Sequence, residues 1–318
     1  MPKLKSIEIC AGAGGQALGL EQADFQHVAL VENDPHACTT LRMNRPEWNT
    51  LEWDLHDFEA HNFKGQVDLF AGGVPCPPFS MAGKQLGADD ERDLFPRALE
   101  LIGQCDPKVI MLENVRGLLG AKFEGYRERL QDHVEKLGFD RGEWQLLQAS
   151  DFGVPQLRPR AIYVALKPEY AKYFKWPTKQ EKKLTVGEAL YDEMVSKEWD
   201  GATAWRDSAN KIAPTLVGGS KKHGGPDLGP TRAKRAWAEL GVNAHTLAEE
   251  PPSNGHSELP RLTVRMAAII QGFPGDWEFS GRKTAAYRQV GNAFPPPVAK
   301  AIGLQISKAL MPCRVNHP

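Results

Sequence analysis

Apolar residues in the first half of the chain gather in short runs, and the stretches between them carry helical spacing. Residues 6–10 read as a short buried strand broken by Ala11-Gly12-Ala13-Gly14-Gly15, the pattern of a strand entering a glycine-rich turn. Residues 16–23 have helical spacing, and 27–32 read as a second strand. Asp34 before Pro35 supplies an N-cap with proline at the first helical position, opening a helix that runs to about Met43. Strands are predicted at 50–55 and 67–71, the latter ending in Gly72-Gly73. A helix at 94–105 and a strand at 108–113 follow, then an amphipathic helix at 126–137 closed by Gly138. Two further strands are predicted at 144–149 and 161–166. This alternation predicts an α/β fold with a doubly wound, mostly parallel sheet. Ligands of such sheets sit at the carboxyl ends of the strands. Gly12, Glu32, Cys76 and Glu113 all fall there.

The pattern changes after about residue 170, where Gly, Pro and Lys increase and periodicity weakens. Residues 175–281 are expected to form a smaller, loop-rich second domain, and 1–174 together with 282–318 the first. Helical spacing resumes at 262–271, stops at Pro274-Gly275, and returns in a final amphipathic helix at 298–310. No internal repeat or low-complexity tract interrupts the chain.

Composition narrows this picture only slightly. The 318 residues carry 39 Lys+Arg against 40 Asp+Glu, a net charge of −1, which excludes a disordered chain and a uniformly basic coat. A local basic face remains open: Lys221, Lys222, Arg232, Lys234 and Arg235 lie in one segment opposed by Asp227. The five cysteines are widely spaced and form no CxxC pair, so neither a disulfide framework nor a metal site is expected. There is no signal-like start and no run of 18 apolar residues, and a cytoplasmic protein without membrane contact is expected.

Four motifs carry candidate chemistry. The glycine-rich turn lets backbone N–H groups approach a cofactor, and Glu32 closes the second strand where an acid can accept from ribose hydroxyls. Its spacing is not GxGxxG, which disfavours a dinucleotide; a tight strand–helix turn is the plainer alternative. Cys76 is flanked by Pro75, Pro77 and Pro78, which suits a nucleophile needing a fixed position but also a structural cysteine. Glu113 ends an apolar strand, where desolvation would raise its pKa and let it donate to a ring nitrogen; capping the next helix is the alternative. Arg158 and Arg160 share one side of an extended segment, to clamp a phosphate or base carbonyl or to form surface ion pairs.

Taken in order, the AGAGG turn, END, PCPPFS, ENV, QLRPR, RLTVR with QGFP, and YRQVGNAFPPPVAKAIG resemble the DNA cytosine-C5 methyltransferase family over nearly the whole chain outside the second domain. The resemblance implies a Rossmann-like domain binding S-adenosylmethionine, yielding S-adenosylhomocysteine, and a target-recognition domain. Cys76 matches the nucleophile that attacks cytosine C6, and Glu113 the residue at N3 and the exocyclic amine. Arg160 matches a position near the base O2, and Arg158 one nearer the backbone. Gly12, Gly14, Glu32, Asp54, Leu94 and Asn292 match cofactor-pocket positions, with Cys10, Ala11, Gly15, Asn33, Leu55, Gly73, Pro75 and Ala293 beside them. Ser80 matches a position near the target phosphate, and Lys221, Lys222, His223, Arg232, Lys234 and Arg235 are candidate DNA contacts. Gln271–Pro274 and Gln289–Asn292 match packing and hinge motifs.

The chain departs from the family at four places. Cys10 stands where many members have Phe beside the adenine, Asn33 where others have Trp, Pro77 where Gln is commoner, and Ala293 where a hydroxyl often lies. These weaken expected cofactor contacts and remove no reacting group. Double-stranded DNA is the expected partner of a monomer, and a cognate restriction endonuclease would not touch it directly. A tRNA methyltransferase on the same fold is the nearest alternative, disfavoured by the long basic segment. An idle DNA-binding regulator is disfavoured by the intact Cys76, Glu113 and Arg160, and a nicotinamide oxidoreductase by the glycine spacing.

Overall fold

The computed structural model describes residues 3–75, 93–219 and 225–311. Cys76 and Ser80, and Lys221, Lys222 and His223, lie outside the described residues. The first half alternates as its hydrophobic pattern requires. It runs β1 (Leu4–Ile9), α1 (Gly15–Glu21), β2 (Phe25–Glu32), α2 (Pro35–Asn44), β3 (Thr50–Glu52) and β4 (Leu69–Gly73). It continues with α3 (Phe95–Cys105), β5 (Val109–Val115), α4 (Glu124–Lys136), β6 (Glu143–Gln148) and β7 (Pro159–Leu166). Asp34 caps α2 as its sequence dictates, its side chain accepting from the His36 N–H.

The seven strands form one sheet in the order β3-β2-β1-β4-β5-β7-β6. Neighbouring pairs from β3 through β5 are parallel, while β7 runs antiparallel to both β5 and β6. The order reverses between β1 and β4, which opens a crevice at their carboxyl ends. Both faces of the sheet are covered. Ile7, Ile9, Ile110 and Leu112 pack with α3 and α4 through Phe95, Leu99, Leu130 and Val134. Val109, Met111, Ile162 and Val164 pack on the other face with Leu20 of α1 and with Val298, Ile302 and Ile306 of the last helix. Burial on both sides explains why β5 reads as an unbroken apolar run.

The second region follows a short helix, α5 (Pro168–Ala171). Ahead of the helix predicted at 262–271, the described residues of the stretch expected to be loop-rich carry three helices among its loops, α6 (Val186–Val195), α7 (Ala202–Ser208) and α8 (Thr231–Ala238). They are short, which is why periodicity did not expose them. α6 does carry a readable start, since Thr185 and Glu188 form a reciprocal capping box. Trp205, Trp237 and Leu240 are buried among these elements, and the same cluster continues through Met266 and Phe273 to Trp48 and Leu41 of the first region. The chain closes with α9 (Val264–Gln271), α10 (Lys283–Asn292) and α11 (Pro296–Leu310). Prolines at the start of α11 suit its first turn, where no intrahelical N–H is needed.

A buried polar network ties the second region to the sheet. Gln156 Nε2 donates to Ile270 O at 3.2 Å and to Gln271 Oε1 at 2.8 Å, and Gln156 Oε1 accepts from the Leu216 N–H at 2.8 Å. Gln271 donates in turn to Ala293 O. The hinge motif around Gln271 is therefore a set of satisfied hydrogen bonds that fixes α9, α10 and the 213–216 segment against the entry to β7.

Candidate active site

The site is built from strand ends. β5 carries Glu113 in register with Gly73 of β4 on one side and Ile162 of β7 on the other. Val115 pairs with Arg160, so Arg160 is the diagonal neighbour of Glu113 on the same face. The Arg160 Nε lies 2.7 Å from Glu113 Oε1, and both side chains are only 13% exposed. Burial pushes the Glu113 carboxyl above the usual carboxylate range, and the positive charges of Arg160 and Arg158 act against that rise. The second oxygen, Oε2, lies 3.1 Å from where a Cβ on Gly73 would sit, so glycine at 73 leaves that oxygen its space.

Arg158 does not share this role. It is buried, and its guanidinium donates to three backbone carbonyls: Leu216 O at 2.8 Å, Gly291 O at 2.8 Å and Ala293 O at 3.0 Å. Of the two arginines expected to clamp one ligand, Arg160 pairs with Glu113, while the donors of Arg158 are taken by backbone carbonyls. Arg158 joins the hinge network, and its charge lowers the Glu113 pKa against the rise that burial causes.

Asn114 carries a function that sequence reasoning quoted within ENV without assigning. Its Nδ2 donates to Val74 O at 2.7 Å, and its Oδ1 accepts from the Val115 N–H at 2.8 Å. It thereby pins the exit of β4 to the strand carrying Glu113. From Val74 the chain continues through Pro75, which lines a cavity together with Glu113, and then to Cys76.

Two adjoining cavities occupy the crevice. The first, of about 300 Å³, is lined by the turn after β1 (Cys10, Ala11, Gly12), by Glu32, by Gly73 and Pro75, by Glu113, and by Asn292 and Ala293 after α10. The second, of about 370 Å³, shares Cys10, Glu32 and Pro75 and adds Asn33, Asp54, Leu55 and Leu94, with Trp53 and His56. Twelve of the expected cofactor positions thus come together from six parts of the chain. Gly14 and Gly15 are the exceptions, because they line neither cavity. A Cβ on Gly14 would stand 2.6 Å from Leu41, and one on Gly15 2.2 Å from the Phe294 carbonyl oxygen. Close packing of α1 is what requires glycine at those two positions.

The turn has the backbone of a ligand site. Cys10, Gly12 and Gly14 all have positive φ (51°, 53° and 84°), and Cys10 adopts it despite its side chain. The Gly12 N–H donates to Glu32 Oε2 at 2.7 Å, and the Asn33 and Asp34 N–H groups donate to Oε1 at 2.9 and 2.8 Å. These bonds hold the Glu32 carboxylate with lone pairs left for hydroxyl donors. Burial raises its pKa against their pull. Glu8 and Gln16 also line the first cavity; both are buried, and the Glu8 carboxyl, pushed well above the usual carboxylate range by burial, meets the Gln16 side chain. Neither residue was singled out from sequence. Buried polar groups lining a cavity fit a polar ligand such as the amino-acid end of S-adenosylmethionine. The fit extends to the rest of that cofactor, since Glu32 suits a ribose diol and the second cavity offers Asp54 and Asn33 beside apolar Leu55 and Leu94.

Of the basic candidates among the described residues, Arg232 and Arg235 on α8 are exposed or half-exposed, while Lys234 pairs with Asp227 at 3.3 Å. That pair removes Lys234 from the free positive charges of the segment.

The family model of C-5 cytosine-specific DNA methylases matches residues 4–308. The chain is 56% identical to the Type II methyltransferase M.NgoMIV of Neisseria gonorrhoeae over 96% of its own length and 97% of that protein's. It is also 56% identical to the Type II methyltransferase M.NaeI of Lentzea aerocolonigenes over 98% of its length and 76% of the relative's. Among solved structures, a mutant of Spodoptera frugiperda DNMT2 superposes with a TM-score of 0.65 at 19% identity, covering 96% of this chain and 99% of that one. That likeness concerns the fold. With its strand-end site and these relatives, the chain belongs to the C-5 cytosine-specific DNA methylases and is an S-adenosylmethionine-dependent DNA (cytosine-5-)-methyltransferase.

Proposed function

We propose that the protein methylates a cytosine turned out of a short, specific duplex site, with Cys76 as nucleophile, Glu113 as the acid at N3 and Arg160 beside the base O2. The observation that carries this reading is the Arg160–Glu113 pair at 2.7 Å, set in register with Gly73 and lining the same crevice as Glu32 and Pro75. A cytosine inside a duplex cannot reach such a recess. Turning it out costs a few kcal/mol of stacking and pairing.

The chemistry follows from the residues. The Cys76 thiolate adds to C6 and forms a C–S bond, while the protonated Glu113 carboxyl donates to N3 and drains charge from the ring. Arg160 fixes the Glu113 carboxyl through Oε1, which leaves Oε2 to face the base edge. C5 becomes enamine-like and nucleophilic. Bound S-adenosylmethionine supplies an electrophilic methyl group for it. Loss of the C5 proton then restores the double bond, breaks the C–S bond and releases Cys76.

Arg232 and Arg235 are assigned to phosphate contacts, with Lys221, Lys222, His223 and Ser80 as further candidates from sequence. Residues 175–281 serve as the target-recognition domain. The relatives named Type II methyltransferases support a restriction–modification setting. The enzyme acts as a monomer on nucleoid DNA in the cytoplasm, without direct contact to an endonuclease. Methyl transfer to duplex oligonucleotides covering all short sites tests the reading. A folded wild-type protein that labels none of them would refute it.

A further inference from the structure

We propose that Trp53 is the residue that stacks on the purine ring of the cofactor. The inference rests on the cofactor reading of the two cavities and goes beyond it, because no family position points to Trp53. The expected aromatic positions are empty of rings here, Cys10 and Asn33 standing in their place. Both residues nonetheless line the second cavity, and Trp53 lines it with them. Trp53 is the one tryptophan on either cavity among the described residues.

Its setting suits a stacking platform. The Trp53 backbone N–H donates to Glu32 O at 3.1 Å, which locks this residue to the end of β2. The indole meets buried Phe58 in a T-shaped contact, with centroids 6.3 Å apart and planes at 65°. The indole is held from one side and remains 50% exposed, leaving ring surface that a ligand's purine can cover. Polar groups that can read a purine edge stand beside it, with Asn33 Nδ2 3.5 Å from Asp54 Oδ2. Leu55, Leu94 and Pro75 supply apolar walls for the same ring.

The experiment is calorimetric titration of the full chain with S-adenosylhomocysteine, alongside its tryptophan emission. From the strength of base stacking on an aromatic side chain, Trp53→Ala should weaken binding roughly fivefold to 150-fold. Trp53→Phe should stay within about threefold of wild type, yet lose most of the emission change caused by the ligand. The half-exposed position predicts an unchanged unfolding midpoint for both variants. Binding by a folded Trp53→Ala within twofold of wild type would overturn the proposal, as would a full emission change in Trp53→Phe. Absence of binding to the wild-type protein would instead overturn the cofactor reading itself, and this proposal with it.

Discussion

In the proposed reaction Glu113 acts only while it holds a proton. Burial raises its pKa, so the carboxyl stays protonated at pH values where an exposed one is ionised. The proton is lost as pH rises through that elevated value, and the contribution of Glu113 to the rate falls with it. Glu113→Gln keeps the size and cannot deliver a proton, so turnover should fall about 10²–10⁴-fold while duplex binding persists. The residual rate should lose the fall attributed to Glu113 in a pH–rate series. Equal turnover by this variant would show that another group protonates N3. Arg158 makes a different prediction. Arg158→Met leaves three buried carbonyls without their donor, and denaturant unfolding should show a loss of about 2–4 kcal/mol. Stability within about 0.5 kcal/mol of wild type, the neutral range of surface substitutions, would contradict the strut role. Sequence spacing placed Arg158 and Arg160 on one side, and both charges do reach Glu113, but the donors of Arg158 are spent on backbone carbonyls.

At the scale of elements, β4 and β5 were legible because each is a short, largely apolar run bounded by a turn. Glycine meaning was less legible: AGAGG reads as one cofactor loop, whereas Gly12 borders the cavity and Gly14 and Gly15 admit neighbouring side chains and backbone. The helices of the second region were hidden by their shortness, although the Thr185–Glu188 pair was a local signal available to be read. The joint of β1, α1 and β2 contains His27, whose ring nitrogens meet Ser6 Oγ at 2.9 Å and Ala17 O at 3.0 Å. Burial lowers its pKa from 6.5 to about 4. Above pH 6.5 His27 is neutral in both folded and unfolded chains, and its contribution is full. As pH falls from 6.5 toward 4, the unfolded chain takes up the proton first and stability declines. At about 1.4 kcal/mol per pH unit, the loss reaches roughly 3 kcal/mol. His27→Gln should flatten that part of the stability–pH curve. An unchanged slope would place the acid sensitivity elsewhere.

Over the whole molecule, a net charge of −1 conceals a division of labour. A DNA-facing surface needs only a local basic patch, and Arg232 and Arg235 on α8 supply part of one. Duplex affinity should therefore fall steeply with salt despite the neutral total. The double variant Arg232→Ala with Arg235→Ala should reduce the slope of log K against log salt by roughly 2. An unchanged slope would move the phosphate contacts off α8. The polar network through Gln156, Gln271 and Arg158 was the least legible large feature, since it joins residues more than a hundred positions apart. Glu113, Arg160 and Gly73 were readable as types, yet their meeting depends on the sheet order that brings β4, β5 and β7 together. The most direct test of the central claim is base-resolved mapping of 5-methylcytosine in DNA from a methylation-free host expressing the wild-type protein or Cys76→Ala. The account predicts methylation at one short sequence with the wild type and none with Cys76→Ala. Unmethylated DNA from folded wild type, or normal methylation by the variant, would contradict it.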